Sequence, residues 1–231
     1  MAPVIRTARE RAREELTLEI KREARRQLAD EGAQRLSLRA VARALGMASS
    51  ALYRYFPSRD DLLTALIIDA YNALGDRVET AVAACPDDDP RAAWRALCHG
   101  VRDWAKEHPH EYALLFGTPV PGYAAPQDTI APAARVPIAL VGVIRGAAGR
   151  LDLSAPVRPL RGALAEQASV LVAAMAPEVS AGVFTRGVVA WSQLVGMVSF
   201  ELFGHFVGAF EPADAFFAHT VEEMADFVGL P

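Results

Sequence analysis

At 231 residues, 52% of them hydrophobic, the chain is long enough for one substantial core or for a small domain beside a larger one. A formal net charge of −4 argues against a nucleic-acid partner, but the charge is unevenly placed: residues 1–60 hold 13 Arg and Lys against 8 Asp and Glu, a net +5, and residues 61–231 carry −9. A basic head on an acidic body suits phosphate binding at one end only; a merely solvated charged helix is the alternative, because arginines there alternate with glutamates.

The first predicted helix runs from about Thr7 to Glu31, with Ala12, Leu16, Ile20, Ala24 and Leu28 recurring every four residues and Gly32 ending it. Arg6, Arg9, Arg11 and Arg13 open the chain with no apolar segment behind them, so no signal peptide is expected. In the next stretch Leu38, Val41, Ala42 and Leu45 make the apolar stripe of a short helix, with Ser37 as its N-cap. Gly46 allows a tight turn. A second short helix follows, Leu52 and Phe56 pointing inward and Ser49, Ser50, Tyr53, Arg54 and Tyr55 on its other side. Two short helices joined by a glycine turn form a helix-turn-helix, whose second helix enters a major groove. Pro57 stops that helix, and Ser58-x-x-Asp61 reads as the capping box of the next.

These residues, and above all Leu52-Tyr53-x-Tyr55-Phe56-Pro57-Ser58-Arg59, resemble the DNA-binding domain of the TetR family of bacterial transcriptional regulators. Ala48 departs from the resemblance, which implies a Ser or Thr capping the recognition helix; the missing acceptor costs about 1 kcal/mol unless Ser49 or water supplies one.

The fourth predicted helix spans about Arg59 to Ala84, with Gly75 inside it as a candidate bend. After the turn Cys85-Pro86-Asp87-Asp88-Asp89-Pro90 come helices at about 91–107 and 109–116, with Asp89 capping ahead of Pro90. Gly117 to Pro137 holds prolines at 119, 121, 126 and 132 besides its last residue, and reads as a long irregular loop. Further helices are expected near 136–149, 158–175, 179–208 and 213–228. The span from Gly187 to Phe210 is apolar enough to weigh as a membrane helix, but Ser192, Gln193, Ser199, Glu201 and His205 interrupt it; a buried helix is expected instead, with no membrane partner. That helix is apolar nearly all round, and the last one carries a stripe at Phe217, Val221, Met224 and Val228. Both are therefore expected to pair with their copies in a homodimer, the alternative being an intramolecular core. Trp191-Ser-Gln-Leu-Val-Gly196 with Glu201, and the loop Pro119-Val-Pro-Gly-Tyr123, resemble a TetR ligand-domain subgroup named for a Trp, His and Gly motif. Val195 stands where that subgroup has His, so no imidazole role carries over.

The expected fold is all-α: a helix-turn-helix DNA-binding domain over 1–57 and a helical ligand-binding and dimerisation domain over 58–231. Ser49 and Ser50 sit where base edges are nearest, followed by Tyr53 and Arg54, the latter suited to bidentate bonds with guanine. Ser37, Arg39, Tyr55 and Arg59 are placed on phosphates, as the resemblance also implies, and the arm at Arg6 and Arg9 on the minor groove or phosphates. One of Tyr53 and Tyr55 packing on the first helix is the alternative. Trp94, Trp104, Tyr112, Phe116, Tyr123, Phe184 and Trp191 each read singly as core; as a set they suit an apolar small-molecule pocket, with His99, Gln167, Gln193 and Glu201 as polar anchors. That pocket leans on the resemblance.

No catalytic constellation, cofactor or metal site is expected. In His108-Pro-His110-Glu111 the proline denies the two imidazoles helical ligand spacing, and Cys85 and Cys98 read as ordinary cytoplasmic thiols. The resulting expectation is a cytoplasmic, sequence-specific repressor, not an enzyme, released from double-stranded operator DNA by a small-molecule effector. The alternative is an architectural or protein-partner-controlled DNA-binding protein.

Overall fold

A computed structural model describes residues 7–151 and 158–231 of the chain. Among the described residues there are ten α-helices and no strand, so the fold is all-α. The chain divides into two packing units: Met1–Ala70 with His110–Ile130, and Tyr71–Pro109 with Ala131–Pro231.

The first unit starts with α1 (Ala8–Glu31), whose N-terminus is closed by a reciprocal box: the Glu10 N–H donates to Thr7 Oγ1 at 3.2 Å and the Thr7 N–H to Glu10 Oε2 at 2.7 Å. Its first two turns are exposed, and burial begins only at Leu16, then Ile20, Ala24 and Leu28. A 3-10 turn, Ala33–Arg35, leads to α2 (Leu38–Ala44) and α3 (Ser49–Leu52). The first part of α4 (Arg59–Ala83) follows, opened by Ser58, whose Oγ accepts from the Asp61 N–H at 3.0 Å and donates to its carboxylate at 2.7 Å. α6 (Pro109–Phe116) and the segment after it complete the unit. Three elements meet at one ion cluster: Asp69 of α4 accepts from Lys21 at 2.8 Å and Arg25 at 2.7 Å, both on α1, and Arg25 reaches Glu111 of α6 at 2.8 Å. The Tyr123 hydroxyl lies 2.9 Å from that of Thr64.

The second unit is centred on α5 (Pro90–Glu107), α9 (Ala181–Leu202) and α10 (Asp214–Val228), which pack on one another, with α8 (Gly162–Met175) against α9. Asp89 caps α5, accepting from the Ala92 N–H at 2.8 Å, with Pro90 at the first turn. Trp94 is fully buried and its indole N–H donates to the Val221 carbonyl at 2.9 Å. Arg102, also buried, makes a bidentate pair with Glu201 at 2.7 and 2.6 Å, reaches Asp214 at 2.9 Å and lies 4.6 Å from the Phe217 ring centroid. Arg91 gathers the C-terminus, donating to Glu222, Asp226 and the carbonyls of Leu230 and Pro231. Cys98 is buried, which pushes its thiol up.

Four expectations are corrected. The segment expected as loop to Pro137 becomes helical at α7 (Ile130–Gly146): Pro132 occupies the first turn, where an N–H has no intrahelical acceptor anyway, and Pro137 is carried inside the helix at the loss of one bond. α9 ends at Leu202, and residues 203–209 form turns where the helix was expected to continue. The α10 stripe expected on a dimer face is used internally: Phe217, Val221, Met224 and Val228 are all buried. Gly75 is no bend. α4 runs unbroken through it, and a Cβ there would sit 2.6 Å from Nε of Arg135, whose guanidinium binds the Asn72 carbonyl at 2.9 Å, Asp76 at 2.6 Å and Glu79 at 2.8 and 2.6 Å.

Two helical stretches, Gln127–Gly146 and Ala181–Leu202, are long and apolar enough to cross a membrane. α9 instead buries Val183, Phe184, Ala190, Leu194, Met197 and Val198 and carries Arg186 and Glu201, the placement of a core helix.

A double-mutant cycle tests the Gly75 assignment. Gly75→Ala gains about 1 kcal/mol of helix propensity, so in an Arg135→Ala background it is expected to raise stability by that amount in urea unfolding. In the native background the displaced guanidinium offsets the gain, so additive effects would sink the assignment. A second expectation concerns pH. Hydrogen bonds from Arg95, assisted by Arg91, hold the Glu222 carboxyl below the usual glutamate range. A depressed folded value means the stabilisation is fully present above the unfolded value and is lost as pH falls through the folded one. The urea midpoint is thus expected to fall below about pH 4.5, and more gently in Glu222→Gln; identical pH slopes would contradict this.

Candidate nucleic-acid interface

α2 begins at Ser37, whose Oγ accepts from the Ala40 N–H at 3.4 Å, and buries Leu38, Val41 and Ala42. The helix is closed by N–H bonds from Gly46 to Arg43 O at 3.2 Å and from Met47 to Ala42 O at 2.8 Å. Gly46 holds φ at 64°, the left-handed region where a side chain is disfavoured. α3 starts at Ala48 with no side-chain acceptor, as its sequence implies; Ala51 and Leu52 donate to the Ala48 carbonyl at 2.9 and 3.4 Å. Regular bonding lasts until the Tyr53 N–H meets Ser49 O, after which the backbone tightens, the Tyr55 N–H reaching Leu52 O at 2.8 Å.

Leu52 and Phe56 are buried, and that fixes the rotation of the second helix. Ser49, Ser50, Tyr53 and Arg54 are left exposed, with Arg39 exposed on α2 and Arg9 on α1. Ser37 is half-buried at its cap. Arg6 lies outside the described residues. The two tyrosines separate: Tyr53 is 42% exposed, whereas Tyr55 is half-buried with the Arg13 guanidinium 5.6 Å from its ring centroid. Tyr55 is therefore the one that packs towards α1.

Arg59 has a different position from the one expected. Its Nε donates to Leu36 O at 3.1 Å and its terminal nitrogen to Ala33 O at 2.9 Å and Gln34 O at 3.3 Å, so the guanidinium ties down the backbone just ahead of Ser37. A phosphate contact by Arg59 competes with these bonds. Arg13 over Tyr55 and the Asp69 cluster were not found by sequence reasoning. Lys21 and Arg25 lie four apart on one side of α1, which hints at a shared partner, but Asp69 stands 44 residues beyond Arg25 and no local period reveals it.

The seven aromatics of the expected pocket are divided. Tyr112, Phe116 and Tyr123 belong to the first unit, where Tyr112 is fully buried with its ring 5.0 Å from that of Phe116. Trp94, Trp104, Phe184 and Trp191 belong to the second, so neither unit brings all seven together. Trp94 spends its N–H on Val221. Trp104 is also buried, yet its Nε1–H has no acceptor among the described residues, a deficit of about 1–3 kcal/mol that a bound acceptor would remove. Of the expected polar anchors, Glu201 is committed to Arg102, and His99 sits edge-on to Phe217 at 5.2 Å.

Comparison with known proteins agrees with this geometry. Residues 20–66 match the family model described as bacterial regulatory proteins, tetR family, and residues 94–224 match the tetracyclin repressor-like C-terminal domain. The HTH-type transcriptional regulator Rv1816 of Mycobacterium tuberculosis is 41% identical over 202 residues, covering 84% of each chain. The solved structure of SCO4313, described as a regulatory protein, superposes with a TM-score of 0.76 at 34% identity, over 95% of this chain and 100% of the other. A Rhodococcus sp. RHA1 protein of unknown function shares the fold alone, with a TM-score of 0.68 at 23% identity over 93% and 95% of the two chains. The chain carries both matched regions, with a helix-turn-helix formed inside the first, and belongs to the TetR family of helix-turn-helix transcriptional regulators.

Proposed function

We propose that this regulator is a cytoplasmic homodimeric repressor that binds a specific operator and is released from it by a small-molecule effector. The observation that carries the DNA-binding half is the exposed set Ser49, Ser50, Tyr53 and Arg54 on a helix whose rotation is fixed by buried Leu52 and Phe56. In this reading residues 1–57 carry DNA recognition and residues 58–231 ligand binding and dimerisation. Ser49 and Ser50 meet base edges and Arg54 reads guanine. Ser37, Arg39 and Tyr55 face phosphates, and Arg9, with Arg6, adds the arm. Arg59 acts one step back, holding the segment before Ser37 in place.

The dimer reading shifts from α10 to α8 and α9. Leu164, Val170 and Leu171 on α8, Val188, Val189 and Phe200 on α9 and Phe203 at its C-cap are 46% to 71% exposed. On α9 the exposed residues, with Ser192, Gln193 and Gly196 between them, keep to one side of the helix. Apolar faces of this extent mark an association surface, and a two-fold pair of readers is what a palindromic operator with half-sites one DNA turn apart requires.

The effector reading is supported by the unsatisfied Trp104 N–H and by the family's shared architecture, with Trp104, Phe184 and Trp191 of the second unit as candidate contacts. An effector must bind better to the state with wrongly spaced heads, and operator and effector must then oppose one another by the same factor. α4 contributes residues to both packing units and is the proposed link.

Selection from a random DNA pool tests the function as a whole. A palindromic winner bound about 10³-fold or more above scrambled DNA is expected; weak uniform binding would favour the architectural alternative. Arg54→Ala is expected to cost about 1–3 kcal/mol and relax preference at one position of each half-site, and an unchanged preference rejects that role. Arg59→Ala is expected to lower unfolding stability by about 1–2 kcal/mol and leave the salt slope of DNA binding unaltered; a slope reduced by about one would return Arg59 to the phosphates. Val188→Glu is expected to yield a monomer by light scattering that binds a full operator at least ~100-fold more weakly. A stable Val188→Glu dimer would refute the α8–α9 face.

A further inference from the structure

α1 changes character along its length. Its second half commits cations to carboxylates: Lys21 and Arg25 meet Asp69, Arg25 also meets Glu111, and Arg26 meets Glu23 and Asp30. The side that buries Ile20, Ala24 and Leu28 continues towards the N-terminus through Arg13 and Arg9, seven and eleven residues before Ile20 and so on the same face. There the apolar stripe gives way to guanidiniums, on turns of the helix that the rest of the unit leaves exposed. Among the described residues no carboxylate pairs with either arginine. Glu10, the one acid at helical spacing from Arg13, accepts instead from the Thr7 N–H at 2.7 Å and the Thr7 hydroxyl at 3.0 Å.

Arg13 stands at the edge of the recognition helix. Its guanidinium lies over the Tyr55 ring, and Tyr55 is placed by the tightened turn that closes that helix, between buried Leu52 and Phe56. A guanidinium held against a ring face keeps its N–H donors available in its own plane, the geometry that matches two oxygens of a phosphate. Among the described residues the Tyr55 hydroxyl has no hydrogen-bond partner either. Two groups with unspent donors therefore sit together beside the exposed Tyr53 and Arg54, on the basic head of the chain.

We propose that Arg13 is a DNA-contacting residue that grips a backbone phosphate beside the recognition helix, its guanidinium positioned by the Tyr55 ring and the Tyr55 hydroxyl donating to the same phosphate. This rests on the DNA-binding reading above, to which it adds a contact from the body of α1.

Fluorescence anisotropy of the full chain on the operator won from the random pool, titrated between about 0.1 M and about 1 M salt, tests the contact. Arg13→Gln alters an exposed side chain and is expected to lower the salt slope by about 0.9. That makes binding about eightfold weaker at about 0.1 M salt, with the same loss on scrambled DNA and an unchanged sequence preference. Arg22→Gln is the control: Arg22 is exposed nine residues further on, on the opposite side of α1, and its loss is expected to leave the slope in place. Tyr55→Phe keeps the ring and is expected to keep the slope while weakening both DNAs by about three- to tenfold. An Arg13→Gln protein with a native slope and a lowered unfolding midpoint would make Arg13 a cover for Tyr55 and nothing more. A loss matched by Arg22→Gln, a changed sequence preference, or native affinity in Tyr55→Phe also overturns the proposal. If the native chain forms no salt-sensitive complex with any duplex, the DNA-binding reading itself fails. A native complex indifferent to Arg13→Gln leaves that reading standing and removes only this contact.

Discussion

α9 sets the terms for the second unit, because a helix with so little polar surface has to be covered on more than one side. Part of the cover is internal: α5 and α10 take the side bearing Leu194 and Val198, and Gly187 lets Ile144 of α7 come so near that a Cβ would lie 2.5 Å from its methyl. The charged exceptions are handled individually. Glu201 is matched by Arg102, and an arginine so buried is tolerated only because a bidentate carboxylate and Asp214 meet it. What stays about half exposed is a strip with Val188, Val189 and Phe200, and Phe203 just past the helix end, the face proposed for pairing with a second copy.

The first unit follows a different physics. Its hydrophobic contacts come from the second half of α1, the short α2 and α3 and the start of α4, where Leu62, Leu63, Leu66 and Ile67 are buried, and long-range polar ties supplement them. Asp69 receives two cations of α1, and Arg25 extends the tie to α6. Each bond is half-buried, so solvent screens it only in part. The hydroxyl contact between Thr64 and Tyr123 adds a second crossing between α4 and the segment after α6. A shift of α6 is therefore felt by α1 and α4 through directional contacts.

Local signals carried much of this into the sequence. Ser37, Gly46, Ser58, Asp89 and Pro90 mark helix ends through chemistry that acts over four residues, and the structure uses each as expected. The sequence was silent where the deciding partner is far along the chain. Gly75 looks like a flaw in a helix until Arg135 is seen filling its missing side chain. The stripe at Phe217, Val221, Met224 and Val228 is identical for a dimer seam and an internal one, and only the neighbouring α5 and α9 distinguish them. Proline misled in the opposite direction: counting it as a helix breaker extended a loop over Ile130 to Pro137, which α7 accommodates by placing Pro132 in its first turn. In the recognition surface, residue types revealed which side chains belong to the helix-turn-helix, but not that Tyr55 would lean on Arg13 or that Arg59 would be occupied by carbonyls.

The ending of the first packing unit has a consequence for inheritance and engineering. His110–Ile130 is packed with the helix-turn-helix although the chain reaches it only after the whole of α5. The N-terminal helices are consequently not a cassette that one cut can lift out: a fragment ending near Pro57 leaves behind Glu111, one of the carboxylates its Arg25 uses, together with Asp69. Recombination that grafts a foreign DNA reader onto this body must either bring its own equivalent of α6 or re-evolve the contacts. The exchangeable piece is thus set by contacts and not by a single cut in the chain.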